Sequence, residues 1–331
     1  MLTLPMVPRP GSRDAMVDAD MSAQDLLPPP FASARRPLTE DEQRWLACAA
    51  SMAAAGKAAA QPLYGTPLGR SYLGKGAGGD RTLEIDRACE EAIRRVLERD
   101  APGEYRLVSE EAGIIGSAGA PWWVVVDPLD GSLNAKHGLE PFGASIGVAR
   151  GDTLADVTVG YVEDYVRPHA FAAVNGAGLL LAGEPGSGST ALLEPQRFDS
   201  ELIELLLLEA GRPDRHHFPY HDLSAIAACG RSGEMRVRQI GSIALALCYL
   251  AAGVADVLLA AVRARSVDLA AGLLILAESG GGVAALDDSD YRRQPLDLEK
   301  RGAFVAWRKG LDGAEITSSA RRLRPALLLS P

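Results

Sequence analysis

Hydrophobic and polar positions along this chain switch repeatedly between a helical period and a strand period. Thr39 to about Lys57 and Asp86 to Arg99 carry Ala, Glu and Arg at helical spacing and predict two helices. Trp122-Trp123-Val124-Val125-Val126 is short, apolar and β-branched, the pattern of a buried strand. Ala144 to Val148 and Asp156 to Val162 predict further strands, continuing to Val174, and from Leu202-Ile203-Glu204-Leu205-Leu206-Leu207-Leu208 onward helices and strands interleave. Ile243 to Val262 holds a single charge, Asp256, and reaches transmembrane length. Gly253 and Asp256 interrupt it, so a helix followed by a buried strand is expected instead, with no membrane insertion. Gly74-Lys75-Gly76-Ala77-Gly78-Gly79 is too rich in glycine for regular structure and predicts a mobile loop. Its spacing fits neither a dinucleotide fingerprint nor a P-loop. Residues 1–37, with Pro28-Pro29-Pro30, read as a disordered extension without a signal peptide. Gly183 to Ser189 marks a boundary, giving an α+β half over 38–184 and an α/β half over 185–331.

The candidate chemistry begins where the 122–126 strand meets Asp127-Pro128-Leu129-Asp130-Gly131-Ser132. Open α/β sheets bind ligands at the carboxyl ends of their strands. Pro128 fixes one φ and Gly131 permits an unusual one, so the two aspartates sit on a rigid turn. Carboxylates this close repel, and a hard divalent cation relieves the repulsion. Ser132 and the N–H groups after it can open a helix, which suits a phosphate. Asp-Pro and Asp-Gly are also common turn dipeptides, so this segment alone fits a structural turn as well. Glu110-Glu111 follows the apolar Leu107-Val108, and Asp268-Leu269-Ala270-Ala271-Gly272 precedes an apolar helical run closed by Gly280-Gly281-Gly282. Asp268 reads as an N-cap, and the small residues after it permit close helix packing.

In this order the segments resemble the inositol monophosphatase-like family of Mg²⁺-dependent, Li⁺-sensitive phosphatases, over roughly residues 40 to 310. The shared pattern is Glu-Glu, then Asp-Pro-(Ile/Leu)-Asp-Gly-(Thr/Ser), then a late Asp-x-Ala-Ala-Gly. Phe171 to Gly178 and Gly241-Ser242 through Asp256 match two further family segments. The resemblance implies a layered αβαβα sandwich. It also implies two or three Mg²⁺ ions: Glu110, Asp127 and the Leu129 carbonyl on the first, Asp127, Asp130 and Asp268 on the second, and a looser third near Glu110 that Asp80 would approach. Glu111 is the weaker member of its pair, because the family's ligand is usually the first glutamate. Asp130, Gly131 and Ser132 would bind substrate, and Asp86 would hydrogen-bond Ser132 to help activate water.

The implied reaction is hydrolysis of a phosphate monoester, a dianion that repels hydroxide and therefore calls for paired cations. Inositol-specific members carry a glutamate seven residues before the late aspartate; here that position is Ala261. Arg263 and Arg265 instead resemble the archaeal-type branch, which cleaves inositol-1-phosphate and fructose-1,6-bisphosphate, and an arginine fork there would read a hydroxyl or second phosphate. The same two arginines also fit a strand flank. Val267 stands where the family usually has Trp. A nucleotide-directed phosphatase (3′-phosphoadenosine phosphate or NADP) and a catalytically silent binding protein are the alternatives. The resemblance further implies a homodimer.

Composition changes the picture little. The chain has 331 residues, 47% hydrophobic, enough for a large core, and a net charge of −9 that disfavours nucleic acid as a partner. Cys48, Cys89, Cys229 and Cys248 lack metal spacing and suit reduced thiols in a cytoplasmic protein. His216-His217 with His221 reads as a polar loop, and Arg231, Arg236, Arg238, Arg321, Arg322 and Arg324 as solvated faces.

Overall fold

The computed structural model describes residues 34–79, 81–183, 201–209, 223–230, 235–261, 264–287, 289–300 and 302–327. The Pro-rich extension before residue 34, Asp80, the boundary segment from residue 184, Arg231, Arg263 and the three histidines at 216, 217 and 221 lie outside them.

The first predicted helix forms as α1 (Glu40–Ala60). Its start is fixed by a capping box: the Glu42 N–H donates to Thr39 Oγ1 and the Thr39 N–H to Glu42 Oε2. The second, α2 (Glu84–Asp100), begins two residues earlier than its periodicity suggested, because the Leu83 N–H is bound by Asp86 Oδ2. The glycine-rich segment before it is more ordered than expected. Strands β1 (Tyr72–Lys75) and β2 (Arg81–Leu83) pair antiparallel there, and the amides of Ala77 and Gly78 donate to the carbonyls of Glu111 and Glu110. Pairing outside the glycines supplies the order that local propensity lacks.

Strands β3 (Tyr105–Ser109), β4 (Gly113–Gly116), β5 (Trp122–Asp130), β6 (Gly143–Ala149), β7 (Val157–Asp164), β8 (Ala170–Val174) and β9 (Gly178–Gly183) form a seven-stranded sheet in the order β4-β3-β5-β6-β7-β8-β9. Only β3 and β5 run parallel; the other neighbours are antiparallel. A short helix, α3 (Ser132–His137), leaves the end of β5.

Beyond it come β10 (Leu205–Glu209), α4 (Ser224–Ala227), β11 (Arg236–Arg238), α5 (Ile243–Ala251), β12 (Val257–Ala260), α6 (Ser266–Ser279), β13 (Gly282–Ala285), β14 (Phe304–Trp307) and α7 (Gly313–Leu327). The five strands order as β11-β10-β12-β14-β13. The long apolar run is thus α5 followed by β12, and among the described residues no helix is long and apolar enough to cross a membrane.

Three apolar layers bind the parts into an αβαβα stack. Trp45, Met52 and Ile93 of α1 and α2 pack on one face of the seven-stranded sheet with Val124 and Ile146. Its other face, with Val125 and Phe171, meets α5 and α6 and through them the five-stranded sheet. Ile316 and Leu323 of α7 cover that sheet's far side with Leu206 and Val305. The small residues after Asp268 let α6 sit close. A Cβ at Gly147 of β6 would lie 2.9 Å from the Ala270 Cβ, and one at Gly160 of β7 would lie 2.9 Å from the Ala271 carbonyl.

Candidate metal centre

Strand β5 does not stop at its apolar run but continues through both aspartates. In an unbroken strand, residues three apart face opposite sides of the sheet. Here Asp127 pairs with Ser145 and Asp130 with Gly143, so β5 holds one extra residue and bulges. Pro128, which has no N–H to offer the ladder, sits in that bulge. Gly131 then turns the chain at φ 97°, and a side chain there would press on Phe142 at 3.0 Å. Asp127 is 2% exposed.

The third acidic segment arrives from the other half. Asp268 is not the N-cap of α6 as its sequence suggested; Arg265 holds that place. Asp268 is the third helical residue, and its Oδ2 accepts the Arg265 N–H at 2.6 Å. Among the described residues, carboxylate oxygens of Glu110, Asp127 and Asp268 all lie within 4.8 Å of one another. Asp130 stands outside that triad. Its Oδ2 accepts from the Ser242 hydroxyl at 2.7 Å and the Ala244 N–H at 2.6 Å, at the start of α5. The Leu129 N–H donates to Asp127 Oδ1 at 2.9 Å, and the Leu129 carbonyl accepts the Ser132 hydroxyl at 3.0 Å.

Crowding shows in the acidities. Burial pushes Asp127 well above the usual carboxylate range, and the charges of Glu110, Asp130 and Asp268 push it further. Asp268 is pushed up to about 8, first by burial and then by Glu110 and Asp130. Asp130 is raised to about 6 by burial, against the pull of its hydrogen bonds from Ser242 and Ala244. Asp86, 2% exposed, is raised to about 6 by burial, while the Leu83 N–H and the nearby Ser132 hydroxyl lower it. Its Oδ1 is buried with no hydrogen-bond partner. Glu111, pushed up to about 7 by burial, hydrogen-bonds the Thr82 hydroxyl of β2. A set of hard oxygen donors that repel one another, beside an orphaned carboxylate oxygen, fits a divalent cation of the Mg²⁺ or Ca²⁺ kind.

Arg265 is where the geometry departs most from the sequence expectation. It is 3% exposed, and its guanidinium donates to Glu110 Oε1 at 2.7 Å and to the Gly78 carbonyl at 3.0 Å. Both terminal nitrogens of the fork thus hydrogen-bond groups of the protein itself. Ala261 is buried, with its N–H on the Glu209 carbonyl.

Ser242 and Glu209 escaped the sequence reading as site residues. Glu209, raised to about 7 by burial, accepts the Ile240 and Gly241 N–H groups through Oε1 and so fixes the approach to Ser242. The Gly-Ser step before an apolar helix signals the cap. Nothing local signals its aspartate partner 112 positions away.

The chain is similar to several known proteins. The chain is 29% identical over 215 residues to phosphatase IMPL1, chloroplastic, of Arabidopsis thaliana, covering 64% of this chain and 55% of that protein. It is 30% identical over 221 residues to fructose-1,6-bisphosphatase/inositol-1-monophosphatase of Thermococcus kodakarensis, covering 66% of this chain and 75% of the relative. The solved structure of the MJ0109 gene product, named inositol monophosphatase-fructose 1,6 bisphosphatase, superposes with a TM-score of 0.67 at 22% identity, covering 86% of this chain and 100% of the other. The model of the inositol monophosphatase family matches residues 41–323, and the chain belongs to that family.

Proposed function

We propose that this protein is a Mg²⁺-dependent phosphomonoesterase that hydrolyses small sugar or cyclitol phosphates, inositol-1-phosphate and fructose-1,6-bisphosphate among them. The observation that carries this reading is the Glu110–Asp127–Asp268 triad, assembled from three distant segments at the end of β5. Membership of a family whose named relatives include phosphatases of these esters supports it.

The bound cations would be held by Glu110, Asp127 and Asp268, with Asp130 and the Leu129 carbonyl alongside. When present they neutralise the dianionic phosphate and lower the pKa of the attacking water. The protein supplies the rest. Backbone N–H groups from Gly131 and Ser132 into the first turn of α3 seat the phosphate oxygens. The Ser132 hydroxyl, beside Asp86, lines up the water, and Asp86 Oδ1 accepts the proton it gives up. A carboxylate raised to about 6 remains mostly ionised at neutral pH yet is a better base than an ordinary one. Asp130, clamped to the start of α5, carries the second half of the chain to the substrate's edge.

We further read the chain as a homodimer acting in the cytoplasm; the free, buried thiols of Cys48, Cys89 and Cys248 suit a reducing compartment. The test is phosphate release by the purified chain with Mg²⁺, with EDTA, and with Mg²⁺ plus Li⁺. Inositol-1-phosphate, fructose-1,6-bisphosphate, 3′-phosphoadenosine-5′-phosphate and NADP form the panel. Release from one of the first two, abolished by EDTA and depressed by Li⁺, is expected. Release from the nucleotides alone would replace the substrate class, and none from any would support the silent binding protein.

A further inference from the structure

A buried arginine beside a metal centre needs an account, because its charge opposes that of the cations the site would hold. Arg265 joins three segments at once. Its Nη1 donates to Glu110 Oε1 at 2.7 Å, its Nη2 to the Gly78 carbonyl at 3.0 Å, and its backbone N–H to Asp268 Oδ2 at 2.6 Å. The glycine-rich turn between β1 and β2 is tied to the same place by its backbone. The Gly78 N–H donates to the Glu110 carbonyl at 2.8 Å and the Ala77 N–H to the Glu111 carbonyl at 3.2 Å. Gly78 lies against the guanidinium: a Cβ there would stand 3.2 Å from the Arg265 Cζ and 3.2 Å from the Glu110 carbonyl oxygen.

We propose that the Arg265 side chain is a positioning group that couples the Gly76–Gly79 turn to the metal carboxylates, holding Glu110 in ligating position while tying down the turn at Gly78. The inference rests on reading the acidic cluster as a metal centre, and it adds to that reading a link between metal affinity and loop order. An arginine fits this task where lysine does not. Its planar fork reaches a carboxylate and a carbonyl at fixed angles, and it stays charged at every working pH. Groups that orient metal ligands from behind are worth about 10- to 100-fold in metal affinity or activity when removed. Because coupling between two sites is reciprocal, disturbing the turn must weaken metal binding as surely as losing metal loosens the turn.

The test uses the full chain, wild type against Arg265→Met, Arg265→Lys and Gly78→Ala. Mg²⁺ affinity is read by calorimetry, and amide exchange at Ala77 and Gly78 by mass spectrometry. Arg265→Met is expected to bind Mg²⁺ about 10- to 100-fold more weakly and to exchange both amides faster. Arg265→Lys should regain part of the affinity but leave the Gly78 side of the turn unprotected. Gly78→Ala touches no carboxylate, yet its Cβ must displace the guanidinium or the Glu110 carbonyl by a few tenths of an ångström. It is expected to lower Mg²⁺ affinity several-fold, and it decides the matter if Arg265→Met fails to fold. Unchanged Mg²⁺ affinity in Gly78→Ala, or a folded Arg265→Met that keeps wild-type affinity and exchange, would overturn the coupling. A wild-type chain that binds no Mg²⁺ would instead remove the metal reading on which it rests.

Discussion

Two buried acidic sites in this molecule resolve the same problem in opposite ways. Asp256, between α5 and β12, is surrounded by donors. Arg308 Nε reaches its Oδ1 at 2.5 Å, and the Glu204 and Leu205 N–H groups reach its Oδ2 at 2.8 Å. Arg308, 1% exposed, is completed by the Lys309 and Leu202 carbonyls at 2.9 Å. At the end of β5, by contrast, Asp127 and Asp268 face Glu110 and each other, and both carboxyl groups hold their protons well above the usual carboxylate range. A carboxylate kept for structure is matched by protein donors, whereas one kept for a ligand is left under repulsion that the ligand removes.

The largest expected effect is at the crowded site. Asp127→Asn should cut kcat/KM by at least ~1,000-fold, about 4 kcal/mol of barrier. It should also raise the melting temperature of the metal-free chain, because one repelling charge is gone. A variant with unchanged activity, measured by phosphate release, would take Asp127 out of the mechanism.

At the satisfied site the order reverses. Asp256→Ala leaves the Arg308 guanidinium buried without its carboxylate and should cost about 3–5 kcal/mol of stability. Mg²⁺ affinity in the folded fraction should stay at the wild-type value. Chemical denaturation and calorimetry measure the two quantities, and an Asp256→Ala chain as stable as the wild type would break the contrast.

The acidic end of β5 is partly legible in the chain, and the rest is hidden for physical reasons. The apolar run into Asp127-Pro128-Leu129-Asp130-Gly131-Ser132 announces a strand end and a turn, since hydropathy and φ preferences are local. The bulge that reconciles the two aspartates is not local, because it exists only against Ser145 and Gly143 of β6. Asp268 was misplaced within its helix by three positions, since an aspartate that binds back to the N-cap amide and one that is itself the cap differ little in sequence. The glycine-rich segment reads as mobile because its order comes from the Glu110 and Glu111 carbonyls. Arg265 reads as a substrate contact or a strand flank, because its carboxylate partner Glu110 lies 155 positions away.

The most direct measurement is thermal unfolding of the chain between pH 5 and 8.5, with EDTA and with saturating Mg²⁺. Asp86 and Asp130 are raised to about 6 and Asp268 to about 8, above the ordinary value of 3.8 that they regain on unfolding. A raised carboxylate contributes stability that is full below the unfolded pKa and is lost as pH rises through the folded one. The metal-free chain should therefore lose stability as pH rises across this window. Mg²⁺ should restore it, by a margin that widens with pH as the ligands give up their protons. A metal-free chain that gains stability over the same range, or a Mg²⁺ effect that is absent or independent of pH, would contradict the claim that this cluster is built for cations.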